Sequence, residues 1–140
     1  MNYTGITGLL FLTFVLTAPA VISQDRKDIR DHNVKSQVVY EYFLGEGYNE
    51  PVIEQKQTFD ENGEVTEVVQ YNRKGEITLW EKYKYDEDRN VIEETILDSK
   101  GNVVKTEKTI FEDGLRVERQ FYDNRGRLYK KKVYEYEYRK

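Results

Sequence analysis

One short unit recurs six times between Phe59 and Leu128, and it dictates what the chain can fold into. It reads Phe59-Asp-Glu-Asn-Gly63-Glu-Val65, then Tyr71-Asn-Arg-Lys-Gly75-Glu-Ile77, then Tyr85-Asp-Glu-Asp-Arg89-Asn-Val91. Leu97-Asp-Ser-Lys-Gly101-Asn-Val103, Phe111-Glu-Asp-Gly114-Leu-Arg-Val117 and Tyr122-Asp-Asn-Arg-Gly126-Arg-Leu128 complete the series. Successive starts lie 12, 14, 12, 14 and 11 residues apart. The unit is a large apolar residue, an acid or amide, two polar residues, glycine, one more residue and an aliphatic. Its physical content is a chain reversal. A side-chain oxygen of Asp or Asn bonds the backbone two residues on, and glycine supplies positive φ without steric cost. Unit three has Arg89 in the glycine place, and the neighbouring Asn90, which tolerates the left-handed region, predicts a turn shifted by one residue. Unit five reaches Gly114 one residue early and predicts a tighter turn.

Between the reversals lie short stretches of alternating character, which is the strand period. Ile77, Leu79, Tyr83 and Tyr85 share one parity, and Trp80, Lys82 and Lys84 the other. Leu128, Tyr134, Tyr136 and Tyr138 make a final row, with Glu135 and Glu137 opposite. The pattern extends upstream as Gln37–Leu44, a turn over residues 45–50, and Pro51–Phe59. Parallel neighbours need crossovers of about a dozen residues, so turns this short permit only antiparallel pairing in sequence order. The expected fold is all-β: an antiparallel up-and-down meander of about eight strands built from YD-like hairpin repeats, forming a curved single sheet.

Composition sets the thickness of that sheet. All 48 charged residues lie beyond residue 24, and few apolar atoms remain to offset an ordering entropy of roughly 1.5 kcal/mol per residue. A thin layer with one aromatic-aliphatic face follows. The chain has no cysteine, which excludes disulfides, thiol nucleophiles and cysteine-ligated zinc. A net charge of −4 with both signs interleaved gives no nucleic-acid-binding face.

Ile6–Ile22 is apolar apart from Thr7, Gly8, Thr13, Thr17 and the Pro19 break, too short for a comfortable membrane span and close to a secretory core. Ala18-Pro19-Ala20 offers a cleavage pattern. The expected organisation is a signal peptide over 1–23, a flexible polar lead-in over 24–36 and a β-repeat domain over 37–140. That places the protein outside the cytoplasm: periplasmic, on the cell surface or secreted. Membrane contact arises only if the first segment stays uncleaved as an anchor.

Candidate sites are few. Asp86, Asp88 and Asn90 have the first, third and fifth places of a calcium loop, but Val91 and Leu97 stand where glycine and glutamate are required. Glu93-Glu94 is a carboxylate pair of the kind expected by chance among 26 acids. His32 sits in the polar lead-in and reads as solvent-exposed. No catalytic, cofactor or metal site is expected. Aromatic residues are the candidate binding surface: Tyr40, Tyr42, Trp80, Tyr134, Tyr136 and Tyr138, since a rigid ring with a polar tip suits recognition. The bland reading of the tyrosines is a ladder packing the sheet, with the two terminal strands adjacent. A third reading is a sheet edge that pairs between chains.

The unit Tyr122-Asp-Asn-Arg-Gly126-Arg-Leu128, with Tyr85-Asp86 keeping its leading pair, resembles the YD repeat of the Rhs family of secreted bacterial proteins, also present in teneurins. That resemblance implies winding β-sheets that enclose cargo or present extracellular surfaces; six units are too few to enclose anything. Phe59-Asp-Glu-Asn-Gly63 is also similar to the hairpins of MORN-like repeat proteins, some of them proposed antitoxins. The expected function is an exported, non-enzymatic module that binds a glycan, peptide or protein partner or serves a structural role. An enzyme acting on extracellular polysaccharide and an immunity protein are the alternatives.

Overall fold

A computed structural model describes residues 25–45, 47 and 50–139; the expected signal peptide, residues 1–23, lies outside the described residues. After a short helix α1 (Arg26–Asp31) come eight strands: β1 (Ser36–Glu41), β2 (Val52–Phe59), β3 (Val65–Tyr71), β4 (Ile77–Tyr85), β5 (Val91–Leu97), β6 (Val103–Glu112), β7 (Leu115–Tyr122) and β8 (Leu128–Val133). They form one sheet in the order β1-β2-β3-β4-β5-β6-β7-β8, every pair antiparallel and the sheet open. The all-β meander of eight strands is therefore the fold. The first and last strands are its two opposite edges, so no aromatic ladder joins them.

Five of the reversals are each built by the residue that opens them. The Asp60 Oδ1 accepts from the N–H groups of Asn62 and Glu64 at 2.9 and 2.8 Å. Asn72 does the same for Lys74 and Glu76, Asp98 for Lys100 and Asn102, and Asp123 for Arg125 and Arg127, all within 3.0 Å. The backbone closes around them: Gly63 N–H donates to Asp60 C=O at 3.0 Å and Asp60 N–H to Glu64 C=O at 2.9 Å. This is a type I turn followed by a left-handed residue, and the register shift beside it, between Thr58 and Phe59, is the accompanying bulge. At β4–β5 the turn does not shift. Arg89 itself takes φ +67° and donates its N–H to Asp86 C=O at 3.0 Å. The Asp86 frame fixes the geometry, and Arg89 bears the strain. At β6–β7 Glu112 pairs with Leu115, leaving a two-residue Asp113-Gly114 loop with φ positive at both residues, the expected tighter turn.

Residues 24–36 were expected to be a flexible polar lead-in in which a short helix would have no apolar stripe to dock it; the described part, residues 25–36, holds α1, and it is docked. Asp25 caps α1 by accepting from Lys27 N–H, and Ile29 is only 3 % exposed. A six-residue helix is not stable alone. It persists because Ile29 docks beside Val34, Thr58 and Phe59, where burying an aliphatic side chain contributes about 1.5–3 kcal/mol. Arg26 adds an ion pair to Glu64 at 2.5 Å. One apolar residue is too little for a periodic signal to reveal. His32 is exposed on the helix end, as expected. The final aromatic row also differs: β8 stops at Val133, and Tyr134, Tyr136 and Tyr138 lie beyond it.

The low-exposure face is not aromatic-aliphatic. Gln57, Val68, Glu107 and Phe121, the most buried strand residues, lie on one face, called inner below. Apolar side chains are divided between the faces, so neither becomes a hydrophobic layer, and the polar residues between them share the burial.

Two glycines with nearly equal φ separate turn strain from helix docking. A Cβ on Gly63 would lie 2.5 Å from the Arg26 C=O, whereas one on Gly75 meets nothing within 4 Å. Gly75→Ala is predicted to destabilise by about 1 kcal/mol and Gly63→Ala by about 2–3 kcal/mol in urea melts; equal effects would mean α1 is not docked on that turn. Arg89→Gly is predicted to stabilise by about 0.5–1 kcal/mol, and a loss of stability would show that Arg89 is not strained.

Candidate functional site

Strand register builds the inner face into two lateral rows. Gln57 stands opposite Val68, Val68 opposite Glu81, Glu81 opposite Ile96 and Ile96 opposite Lys105. In the second row Tyr83 faces Glu94, Glu94 faces Glu107, Glu107 faces Phe121 and Phe121 faces Lys130. Directly opposed like charges destabilise a sheet. The Glu94–Glu107 opposition survives because cations close around it. Lys105 Nζ lies 2.7 Å from the Glu107 carboxylate, and the Arg119 guanidinium donates to Glu107 while standing 3.9 Å from Glu94.

The two carboxyls are driven apart in acidity. Burial, together with the Glu107 and Glu81 charges, pushes Glu94 above the usual glutamate range. Burial also acts on Glu107, but the Lys105 hydrogen bond and the Arg119 charge outweigh it and hold that carboxyl below the usual range. Tyr83 donates its hydroxyl to Glu81, and burial plus that acceptor raise its pKa well beyond the ordinary phenol value. A carboxyl poised upward beside one held ionised is the arrangement that divides acid from base roles in hydrolases.

At the β2 end of the same face the amide nitrogens Nε2 of Gln55 and Gln57 are buried with no hydrogen-bond partner. Gln57 is 4 % exposed. Gln55 faces Gln70 and Val39, and Gln57 faces Gln37, so four glutamines occupy neighbouring positions. Unsatisfied buried donors cost about 1–3 kcal/mol each. Nothing in the sequence pattern marks these glutamines, since the polar places of a thin sheet read as solvent-facing.

The expected aromatic surface is dispersed. Tyr40 and Tyr42 lie at or beyond the end of β1, 52 % and 67 % exposed, and Tyr134, Tyr136 and Tyr138 follow β8 at the other edge. Tyr136 donates to Arg116 C=O at 2.6 Å. Trp80 is on the outer face, its indole N–H donating to Glu67 at 2.6 Å and its ring 3.4 Å from a Cβ built at Gly101. It packs over the β5–β6 turn. These six residues form no common patch. Glu93 and Glu94 point to opposite faces, Glu93 lying between Lys84 at 2.7 Å and Lys108 at 3.7 Å on the outer side. Asp86 bonds the Asn90 backbone and side chain, so its oxygens serve the turn. A cleft of about 490 Å³ between the β2–β3 and β4–β5 turns is lined by Asp60, Glu64, Tyr85 and Asp86. Tyr85 donates there to Val65 C=O at 2.7 Å, and burial with the Glu64 and Asp60 charges lifts its pKa to about 12. Among the described residues no group of three or more histidines and acids is placed to hold a metal ion, and no helix is long and apolar enough to cross a membrane. Comparison with known protein families and with curated proteins finds no match.

The opposed carboxylates give a pH signature. A raised Glu94 contributes stability below the ordinary glutamate range that is lost as pH rises through its own value. A lowered Glu107 contributes stability above that range, lost as pH falls through its own value. Glu94→Gln is therefore predicted to be more stable than the parent at neutral pH, with the gap closing in acid. Glu107→Gln, which strips the charged partner from Lys105 and Arg119, is predicted to lose about 1–3 kcal/mol at neutral pH. Urea melts at both pH values check this; equal responses of the two variants would contradict it.

Proposed function

We propose that the protein is an exported, non-enzymatic β-sheet module that binds a polar partner, a glycan or a peptide, across its inner face. The observation that carries this is the pair of unpartnered Gln55 and Gln57 amide nitrogens, on the same face as the Glu81, Tyr83, Glu94, Glu107 and Arg119 network. Amide donors, carboxylate acceptors and a tyrosine hydroxyl on one rigid surface match a ligand rich in both donors and acceptors, such as a saccharide chain or an extended peptide backbone. Export is supported by the apolar segment before residue 24 and by the resemblance of the turn unit to YD repeats of secreted proteins.

The Glu94–Glu107 pair favours a second reading, a hydrolase acting on extracellular polysaccharide. Glu94 would then serve as the acid and Glu107 as the ionised partner. The two readings part experimentally. Binding of the protein to a glycan array and a peptide library is predicted to weaken at least about tenfold in Gln57→Leu, the loss of one to two hydrogen bonds, with unfolding stability kept or raised because an orphaned donor is removed. Unchanged binding in this variant would sink the inner-face reading. Turnover of a polysaccharide that vanishes in Glu94→Gln would replace it with the hydrolase.

A further inference from the structure

We propose that the partner of the inner face is an acidic glycan, its carboxylate held by Lys130 and Lys132 at the β7–β8 end of the sheet. The inference rests on the inner-face reading above and names the charge which that reading leaves open.

Register gathers the cations. Phe121 faces Lys130 and Arg119 faces Lys132, so β7 and β8 bring three positive groups to one face. They surround a single ring: the Lys130 Nζ lies 4.0 Å from the Phe121 centroid, the Arg119 Cζ 5.4 Å and the Lys132 Nζ 5.8 Å. Cations are drawn to an aromatic face, but these also crowd one another, and Arg119 opposite Lys132 is a like-charge pair of the kind that weakens a sheet. Arg119 is compensated by Glu107 and Glu94. The two lysines are not. Lys82, Lys84, Lys105, Lys108 and Lys131 each meet a glutamate at 2.7 to 3.7 Å. Among the described residues Lys130 and Lys132 have no carboxylate partner.

Lysine on an edge strand deters pairing with another chain. That role needs neither two ammonium groups over one ring nor a guanidinium beside them, and Lys131 fills it with its own charge engaged by Glu118 at 3.2 Å on the outer face. Lys130 and Lys132 are left as two uncompensated positive charges, both on the inner face.

The same row says how densely the partner is charged. Glu107 stands on the strand next to Phe121, and Glu94 on the one beyond. A step of about 5–10 Å toward β5 therefore turns the face from cationic to acidic. Nucleic acid and an anionic lipid surface carry charge without a break and meet those acids. A glycan whose acidic sugar is flanked by neutral ones sets its carboxylate on the lysines and its hydroxyls on Glu81, Tyr83 and Glu94. A peptide suits the place less, because on a face its backbone cannot add to the strand ladder as it does at an edge. Sugar hydroxyls donate and accept toward side chains directly.

Three probes test it: an oligosaccharide alternating glucuronate with N-acetylglucosamine, the same chain with its carboxyls reduced to alcohols, and heparin, anionic at every sugar. By titration calorimetry the full chain is expected to bind the first at least about tenfold more tightly than the second. The double variant Lys130→Gln, Lys132→Gln is expected to bind both equally. Lys131→Gln removes a like charge from the opposite face and is expected to stay within about twofold of the parent. All three lysines are exposed, so these variants keep the fold. Equal affinity of the parent for the acidic and reduced chains overturns the proposal, as does binding of neither. A Lys131→Gln loss as large as that of the double variant also overturns it, since net charge alone would then attract the glycan. Tighter binding of heparin than of the alternating chain overturns it in favour of a general polyanion site. Gln57→Leu separates this inference from the reading beneath it. If the parent does not distinguish the two chains and Gln57→Leu weakens both, the inner face binds glycan and the carboxylate site falls. If the lysine-dependent preference persists untouched in Gln57→Leu, the carboxylate site stands and the wider face falls.

Discussion

The side-chain oxygen at the head of five of the turns is what the rest of the structure depends on. A single Asp or Asn oxygen holds two backbone N–H groups and leaves the next residue but two in the left-handed region. At Asp60, Asn72, Asp98 and Asp123 the same bonds recur within a few tenths of an ångström. These bonds are local and do not require a hydrophobic core to form. They fix where each hairpin reverses and in what register its strands meet, which a chain so rich in charge needs. Hydrogen bonds from the Asn102 side chain and backbone hold Asp98 below the usual carboxylate range, and bonds from the Arg127 backbone and side chain do the same for Asp123.

Once register is fixed, the faces follow from parity, and the chemistry of the sheet is set by what parity places opposite what. On the outer side this gives the alternation Lys84, Glu93, Lys108, in which every charge meets its opposite. On the inner side it gives Glu94 against Glu107, which does not. Lys105 and Arg119 resolve that conflict, and the result is a buried polar network at the place where a thicker protein would keep aliphatics. A polar inner face is weak as a core and rich in donors and acceptors, which is the physical link between the thinness of the sheet and its capacity to recognise something.

The architecture was legible because each hairpin announces itself: an acid or amide, then glycine four places after a large apolar residue. Arg89 was misread because propensity points to Asn90, whereas the Asp86 frame decides which residue takes the positive φ. The docking of helix α1 was missed because it buries Ile29 alone, and one residue has no period. The tyrosines drew attention by number, yet Tyr40 and Tyr138 are at opposite ends of the sheet. Linear clustering near both termini says nothing about proximity until strand order is known. Gln55 and Gln57 were invisible for the opposite reason: a glutamine in a polar strand looks solvated, and only the opposing residues Gln37, Val68 and Gln70 show that it is enclosed.

Every pair of strands in extensive contact is a pair of sequence neighbours, from β1 with β2 through to β7 with β8. Cohesion is thus passed along like links in a chain, with no keystone strand on which all others lean. A polymer organised this way can gain or shed a hairpin by in-frame duplication or deletion without rearranging what flanks it, since each new strand asks only for one partner on either side. Nothing in the pairing of the strands fixes the width of the sheet, and six copies of the motif are one length among those the same grammar permits.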